Sequence, residues 1–112
     1  MSEVYERDQR QYALMLDRLD SYRAGRLSLG RLVNDLEGLA AQLEVTPEQW
    51  RSAFRIQWGT LEQVHAAALD RGIAEDLPDD FVVLVEEAVD RLRFLIDEVL
   101  SPNGSDDLNA TR

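Results

Sequence analysis

The sequence contains no cysteine, no lysine and a single histidine, His65. Without cysteine the chain forms neither a disulfide nor a thiolate metal site, so redox arguments indicate no compartment. A catalytic nucleophile–histidine–acid arrangement would have to use His65, which lies on a predicted core-facing stripe. The six glycines are scattered, and no glycine-rich phosphate loop is present. These absences predict a protein that is not an enzyme and needs no cofactor.

Long hydrophobic runs are also missing. The longest strongly apolar run is residues 81–85, far short of the roughly 20 residues that cross a bilayer. Residues 1–8 are charged where a secretory signal is apolar. At 112 residues the chain supports a single core. We therefore expect one cytoplasmic domain with no membrane segment.

Charge is unevenly distributed along the chain. All twelve basic residues are arginine, against twenty-two acidic residues, and the net charge is −10. Residues 1–72 hold eleven acids and nine arginines, whereas residues 73–112 hold eleven acids and three arginines. Such a protein repels nucleic acid and anionic membranes, which are bound through lysine and arginine clusters. An acidic surface often serves only to keep a protein soluble. If this surface binds a partner, its charge favours a basic one.

Apolar residues at steps of three and four predict four amphipathic helices, at about residues 2–23, 28–43, 47–71 and 79–100. Gly25 follows the first helix as a C-terminal cap. Ser28 is the predicted N-cap of the second helix, and Thr46 that of the third, in a capping box with Gln49. Glycines 30 and 38 indicate either close helix contacts or tolerance on an exposed face.

The links between these helices are short, which favours an antiparallel four-helix bundle over residues 1–100. Residues 101–112 are predicted to be a disordered tail. The third helix carries both tryptophans, and its buried stripe is expected to contain Trp50, Phe54, Trp58 or Leu61, His65, and Ala68 or Leu69. The fourth has a wide apolar face, expected at Phe81, Val85, Ala88, Leu92, Leu95 and Val99 and widened by Val82, Val89 and Ile96.

Two local motifs suggest other chemistry. Glu62 and His65 form a Glu-x-x-His pair, as in di-iron carboxylate bundles, but such a site needs a second histidine that this chain lacks. We therefore expect no metal centre. Glu62 and His65 are the weak candidate for metal ligands. Residues 39–50 resemble a DNA-binding helix-turn-helix. Glu44 stands where its turn usually takes glycine, and the tryptophans beside it require burial, so this interpretation is not favoured.

Four motifs carry a family resemblance: Tyr22-x-x-Gly25, the stretch at 32–37 (LVNDLE), the stretch at 58–62 (WGTLE) and the stretch at 69–72 (LDRG). Together they resemble a group of short, mostly uncharacterised bacterial helical proteins. Some members of this group look like immunity proteins encoded beside polymorphic or contact-dependent toxins. The resemblance covers roughly residues 12–97 and implies a helical, non-enzymatic protein that binds a toxin. It supplies no binding residue, because its motifs are mainly fold determinants.

A basic toxin domain is the partner that the acidic C-terminal third would suit. The candidate contact residues are the acids of the fourth helix and its approach: Glu75, Asp76, Asp79, Asp80, Glu86, Glu87, Asp90, Asp97 and Glu98. Part of this charge is expected to be compensated by an i,i+4 pair between Glu87 and Arg91. The alternative is a structural or adaptor module that forms a homo-oligomer through the fourth helix.

Overall fold

Four helices make up the regular structure of residues 3–73 and 76–100, the part of the chain that the computed structural model describes. In chain order they are α1 (Glu3–Arg23), α2 (Leu29–Ala41), α3 (Glu48–Arg71) and α4 (Asp79–Leu100). No strand occurs in these residues. The predicted all-α class is confirmed, and each helix ends within about two residues of its predicted limits. The predicted tail at 101–112 lies outside the described residues.

Helix α1 runs antiparallel to both α2 and α4. Near the start of α1, Gln9 Nε2 donates a hydrogen bond to the carbonyl oxygen of Val99, at the end of α4, over 3.3 Å. At the other end of α1, Arg23 contacts Asp90. On the α2 side, Arg18 lies 3.7 Å from Asp35. Helix α1 therefore has α2 on one side and α4 on the other.

The indole N–H groups of the two tryptophans fix α3 against its two neighbours. Trp50 Nε1 donates to the carbonyl oxygen of Leu95 on α4 over 2.9 Å. Trp58 Nε1 donates to the carbonyl oxygen of Val33 on α2, also over 2.9 Å. At the far end of α3, the Arg71 guanidinium lies 5.2 Å from the centre of the Phe81 ring. The result is an up-down-up-down bundle.

The core lies along the axis of this bundle. Its aromatic part is Trp50, which packs edge-on to Tyr12 at 5.3 Å and stacks on Phe54 at 5.4 Å between ring centres. The other fully buried large side chains come from all four helices: Met15, Leu19, Leu32, Leu36, Leu61, Val85, Val89, Leu92 and Ile96. Val82, placed on the predicted apolar face of α4, is exposed instead, and of the alternatives Ala68 and Leu69 on α3, Ala68 is the buried one.

The loop between α1 and α2 is held by bonds from residues nearby in sequence. Gly25 adopts a left-handed φ of 81°, and the N–H of Arg26 donates to the carbonyl oxygen of Ser21 over 2.9 Å. The side chain of Ser28 accepts from the N–H of Arg31 over 3.2 Å. Both predicted caps, Gly25 and Ser28, are therefore confirmed.

The loop between α2 and α3 is held by Asp8 of α1, which is only 1 % exposed. The Asp8 carboxylate accepts hydrogen bonds from the N–H of Glu44 over 2.9 Å and of Val45 over 2.9 Å. It also accepts from the hydroxyl of Thr46 over 3.1 Å. The Thr46 hydroxyl also forms a hydrogen bond with the hydroxyl of Tyr12. Burial raises the pKa of Tyr12, and this hydrogen bond opposes the rise.

The capping box predicted at Thr46 is wrong. Pro47 occupies the N-cap position of α3 and makes no side-chain cap bond, while Thr46 is buried and turned toward Asp8. Gln49 is exposed. The physical reason is that the Thr46 hydroxyl donates to the Asp8 carboxylate, a strong acceptor, and is thereby turned away from the first N–H groups of α3. A carboxylate from a distant part of the chain therefore engages the hydroxyl expected to cap α3, together with the N–H groups of Glu44 and Val45.

His65 packs where α2 and α3 approach each other. A Cβ atom added to Gly30 would stand 2.7 Å from His65 Nε2, so the ring lies directly over this glycine. No atom lies within 4 Å of the corresponding position at Gly38. Of the two explanations offered for these glycines, close helix contact holds for Gly30 and tolerance in open space holds for Gly38.

No helix in the described part of the chain is long and apolar enough to cross a bilayer.

Candidate protein-binding surface

Helix α4 divides its surface between the core and solvent. Its buried residues are Val85, Ala88, Val89, Leu92 and Ile96. With 3.6 residues per turn, the opposite side of the helix includes Asp80 and Asp90. It also includes Val83, Glu87, Phe94, Asp97 and Glu98, all of them exposed. We call these five residues the outer stripe of α4. It combines three carboxylates with two apolar side chains, one of them aromatic.

Two of the predicted contact acids face α1 rather than solvent alone. The Arg23 guanidinium lies between Glu86 and Asp90, and donates to Glu86 Oε1 over 3.1 Å as well as to Asp90. The hydrogen bond with Asp90 is the main cause that raises the pKa of Arg23 above its ordinary value, and desolvation opposes it. Arg93 of α4 similarly pairs with Asp20 of α1. Glu86 and Asp90 thus join α4 to α1 and are partly neutralised.

Three other predicted acids, Glu87, Asp97 and Glu98, remain available on the outer stripe. No ion pair links them to any arginine in the described residues. The Glu87–Arg91 pair expected from i,i+4 spacing is not formed in this structure; Arg23 supplies the compensation instead, to Glu86 and Asp90. Unpaired carboxylates in solvent keep their charge available to a partner at low desolvation cost.

The remaining predicted acids lie at the other end of α4. Asp79 and Asp80 form its exposed first turn, where they favour the positive end of the helix dipole. Asp76 is exposed in the preceding loop, and Glu75 lies outside the described residues. Asp79 is roughly 28 Å along the helix axis from Glu98, at 1.5 Å per residue. The nine predicted acids therefore do not form one cluster.

An apolar groove lies between α3 and α4 beside the outer stripe. Its volume is about 380 Å³, and it is lined by Ala53, Ile56, Gln57, Asp90, Arg91, Phe94 and Leu95. Ile56 and Phe94 are 66 % and 63 % exposed, the highest values among the large apolar side chains of the described residues. The sequence interpretation missed both. The helical spacing of the sequence did indicate an exposed Phe94, because this residue lies one turn from Asp90, Asp97 and Glu98 and not on the core stripe.

The metal candidate does not develop into a site. Glu62 is exposed on α3, and His65 is half-buried against Gly30. Within residues 3–73 and 76–100, no group of three or more His, Asp or Glu side chains is placed to hold a metal ion. His65 therefore acts here as a packing residue between α2 and α3.

The helix-turn-helix candidate has a different geometry from a DNA-reading motif. Helices α2 and α3 stay side by side, from the bond between Trp58 and Val33 to the contact between His65 and Gly30, whereas a helix-turn-helix pair crosses at a steep angle. Arg51, an arginine of this segment that could reach a phosphate, donates instead to the carbonyl oxygens of Leu43 and Thr46 over 3.0 and 3.2 Å. Its guanidinium is therefore committed to the loop.

No family model, curated protein or solved structure matches this chain. Inferences about function rest on the surface just described and on the motifs in the sequence.

Proposed function

We propose that this protein is a non-catalytic binding protein that recognises a basic partner protein through the outer stripe of α4. The observation that carries the proposal is the exposure of Glu87, Asp97 and Glu98 without ion pairs in the described residues, around an uncovered Phe94. Carboxylates arranged in this way attract a cationic surface over a distance of about one Debye length, roughly 8 Å at physiological salt. Phe94 then supplies apolar area at the centre of the contact.

The partner that we propose is a toxin domain, which makes the protein an immunity-type inhibitor. Two lines of support come from the sequence: the family resemblance and the net charge of −10. A toxin that cuts nucleic acid has a basic groove for its substrate. An acidic helix placed in that groove would compete with the phosphates for the same arginines and lysines. Inhibition of this kind needs no catalytic group on the inhibitor.

A co-purification experiment tests this function. Tagged protein would be used to recover partners from the organism that encodes it, with elution across a salt gradient. We expect one dominant basic protein that is released between low and moderate salt, because screening weakens contacts between exposed charges. The gene of that protein should adjoin the gene of this chain.

The matched variants separate a local contact from a general effect of charge. The first variant neutralises the outer stripe with Glu87→Gln, Asp97→Asn and Glu98→Gln. The control carries the same charge change at exposed acids of α2 and α3, namely Glu37→Gln, Glu62→Gln and Asp70→Asn. We expect the first to lose the partner at low salt and the control to retain it. Equal retention by both variants would contradict the proposal.

Self-association is the second candidate, and the exposed apolar residues at 56, 83, 84 and 94 favour it. It requires no basic partner. Sedimentation equilibrium distinguishes the two: a mass that rises with concentration supports a homo-oligomer, whereas a constant monomer mass eliminates it.

A further inference from the structure

We infer that the groove between Ile56 and Phe94 anchors an apolar side chain from a basic amphipathic helix of the partner protein. This inference rests on the proposed function and adds the chemistry of the segment that is recognised. It assigns the specific part of the contact to α3 and α4 together, whereas the carboxylates of the outer stripe supply only attraction between charges.

The exposure of the groove residues is the first support. Ile56 and Phe94 stand on the two sides of one groove of about 380 Å³, and Ala53 and Leu95 also line it. Both side chains are about two-thirds exposed, although most large apolar side chains in the described residues are buried or half-buried. Single exposed apolar residues are ordinary on a protein surface, but two of them facing a common groove are typical of an interaction site.

The charge around the groove selects the occupant. Along α4, Phe94 has Asp97 and Glu98 one turn ahead and Asp90 and Arg91 one turn behind. Arg23 compensates Asp90. The charges that remain around Phe94 are therefore one positive charge, on Arg91, and three negative charges, on Asp97, Glu98 and the nearby Glu87. A second copy of this chain would bring the same carboxylates against each other, which is unfavourable. Arginine or lysine beside the inserted apolar residue would pair with them instead.

The shape of the groove favours a helix. It lies between two antiparallel helices, which are joined by the bond from Trp50 to Leu95 at one end and the contact of Arg71 with Phe81 at the other. The groove itself extends over residues 53–57 of α3 and 90–95 of α4, roughly 8 Å along the helices, so it accepts one anchor from the apolar face of a helix. Basic residues on the flanks of that face would lie above the outer stripe.

Isoleucine methyl NMR provides a direct test, because the chain has only Ile56, Ile73 and Ile96. Ile56 lines the groove, Ile96 is buried in the core and Ile73 lies beyond α3. The probe is a synthetic amphipathic peptide of about 18 residues, long enough for a marginal helix, with leucine on one face and arginine on both flanks. The control peptide has glutamate in place of every arginine.

We expect the arginine peptide to shift the Ile56 methyl resonance saturably and to leave Ile73 and Ile96 nearly unchanged. The glutamate peptide should shift none of them. Phe94→Ala should weaken the arginine peptide about tenfold, as expected for an aromatic anchor. The control, Leu69→Ala, removes an exposed apolar side chain of α3 outside the groove and should change the affinity less than about twofold.

The outcomes separate the inference from the proposed function. If the arginine peptide binds Phe94→Ala as it binds the unaltered protein, while neutralising Glu87, Asp97 and Glu98 abolishes binding, the groove inference is wrong and the acidic contact stands. If neutralising these acids has no effect on peptide or partner, the proposed function fails. An Ile56 shift that depends on protein concentration alone would place a second copy in the groove. That result would overturn the inference, as would the absence of any shift.

Discussion

The two loops that flank α2 hold their helices by different means. Between α1 and α2, Gly25 and Ser28 make the capping bonds to groups no more than five residues away. Between α2 and α3, the carboxylate of Asp8 receives two backbone N–H groups and the Thr46 hydroxyl from at least 36 residues away. The first loop is capped by its own sequence, whereas the second relies on a different helix in addition to the bonds that Arg51 donates to the carbonyl oxygens of Leu43 and Thr46.

The difference teaches how a short connection can be stabilised without a local signal. The turn at residues 42–47 leaves N–H groups that need an acceptor. The Asp8 carboxylate accepts from two of these N–H groups and from the Thr46 hydroxyl, and so ties the first helix to the loop that leads into the third. A loop held in this way depends on the tertiary structure, so its residues should be more sensitive to substitution than those of a loop with local caps.

Removal of the Asp8 carboxylate should give the largest effect. Asp8→Ala leaves the N–H groups of Glu44 and Val45 and the Thr46 hydroxyl without their acceptor, and we expect a loss of roughly 3 kcal/mol or more in the free energy of unfolding. Urea denaturation measures it. Asp17→Ala, at an exposed acid of the same helix, is the control and should stay within about 0.5 kcal/mol. Equal stability of the two variants would show that the loop does not depend on Asp8.

Thr46→Asp distinguishes a helix cap from a buried network. Aspartate is a better N-cap than threonine, so a capping role would leave the protein as stable or more stable. Here the new carboxylate would be buried beside Asp8, and we expect a loss of about 2 kcal/mol from desolvation and like-charge repulsion. Thr46→Ser keeps the hydroxyl and should lose less than about 1 kcal/mol. A stabilising Thr46→Asp substitution in urea denaturation would restore the capping-box interpretation.

Ser28→Ala tests the locally capped loop. The loss of the bond from the N–H of Arg31 should reduce the free energy of unfolding by about 1 kcal/mol, the usual value for an N-cap. Ser52→Ala, an exposed position within α3, serves as the control and should change stability by less than about 0.5 kcal/mol. The comparison between the loops fails if Ser28→Ala costs as much as Asp8→Ala.

The two helical glycines of α2 sharpen the same contrast between local and tertiary effects. Gly38→Ala fills open space and should raise the thermal midpoint, with a gain of about 0.5–1 kcal/mol from helix propensity. Gly30→Ala places a methyl group against His65, and the displaced ring should make the net effect a loss of about 1 kcal/mol. The double variant Gly30→Ala, His65→Ala should recover part of that loss. Similar gains at both glycines would show that His65 moves freely.

The smallest effect concerns alkaline pH. Burial, and then the charge of Glu86, raise the pKa of Tyr22 above its ordinary value of 10.0. The folded state therefore favours the neutral phenol. The resulting contribution of Tyr22 to the free energy of unfolding is complete below about pH 10 and is lost as the pH rises through the higher pKa of the folded state. Tyr22→Phe cannot ionise, so its urea midpoint should fall less steeply above pH 10 than that of the unaltered protein. Parallel decline of the two proteins would contradict this assignment.

Local patterns in the sequence were enough for the fold class, the four helices and the caps at Gly25 and Ser28. They succeeded because amphipathic spacing, glycine conformation and N-cap chemistry act within one or two turns. The spacing of α4 also contained the exposed position of Phe94, which the emphasis on acidic residues overlooked. Of the acids predicted to contact a partner, Glu87, Asp97 and Glu98 are exposed, and their role in binding stays a prediction.

The spacing of apolar residues is enough to show which segments are helical and that each buries one apolar side. The packing of the helices is what brings the Asp8 carboxylate to a distant loop, places Arg23 between Glu86 and Asp90, and makes Ile56 and Phe94 share a groove. The two kinds of interaction differ in how far apart along the chain their residues lie. Helix formation depends on neighbours three or four residues apart, whereas these contacts join residues from 36 to 67 positions apart, which come together only when the helices pack.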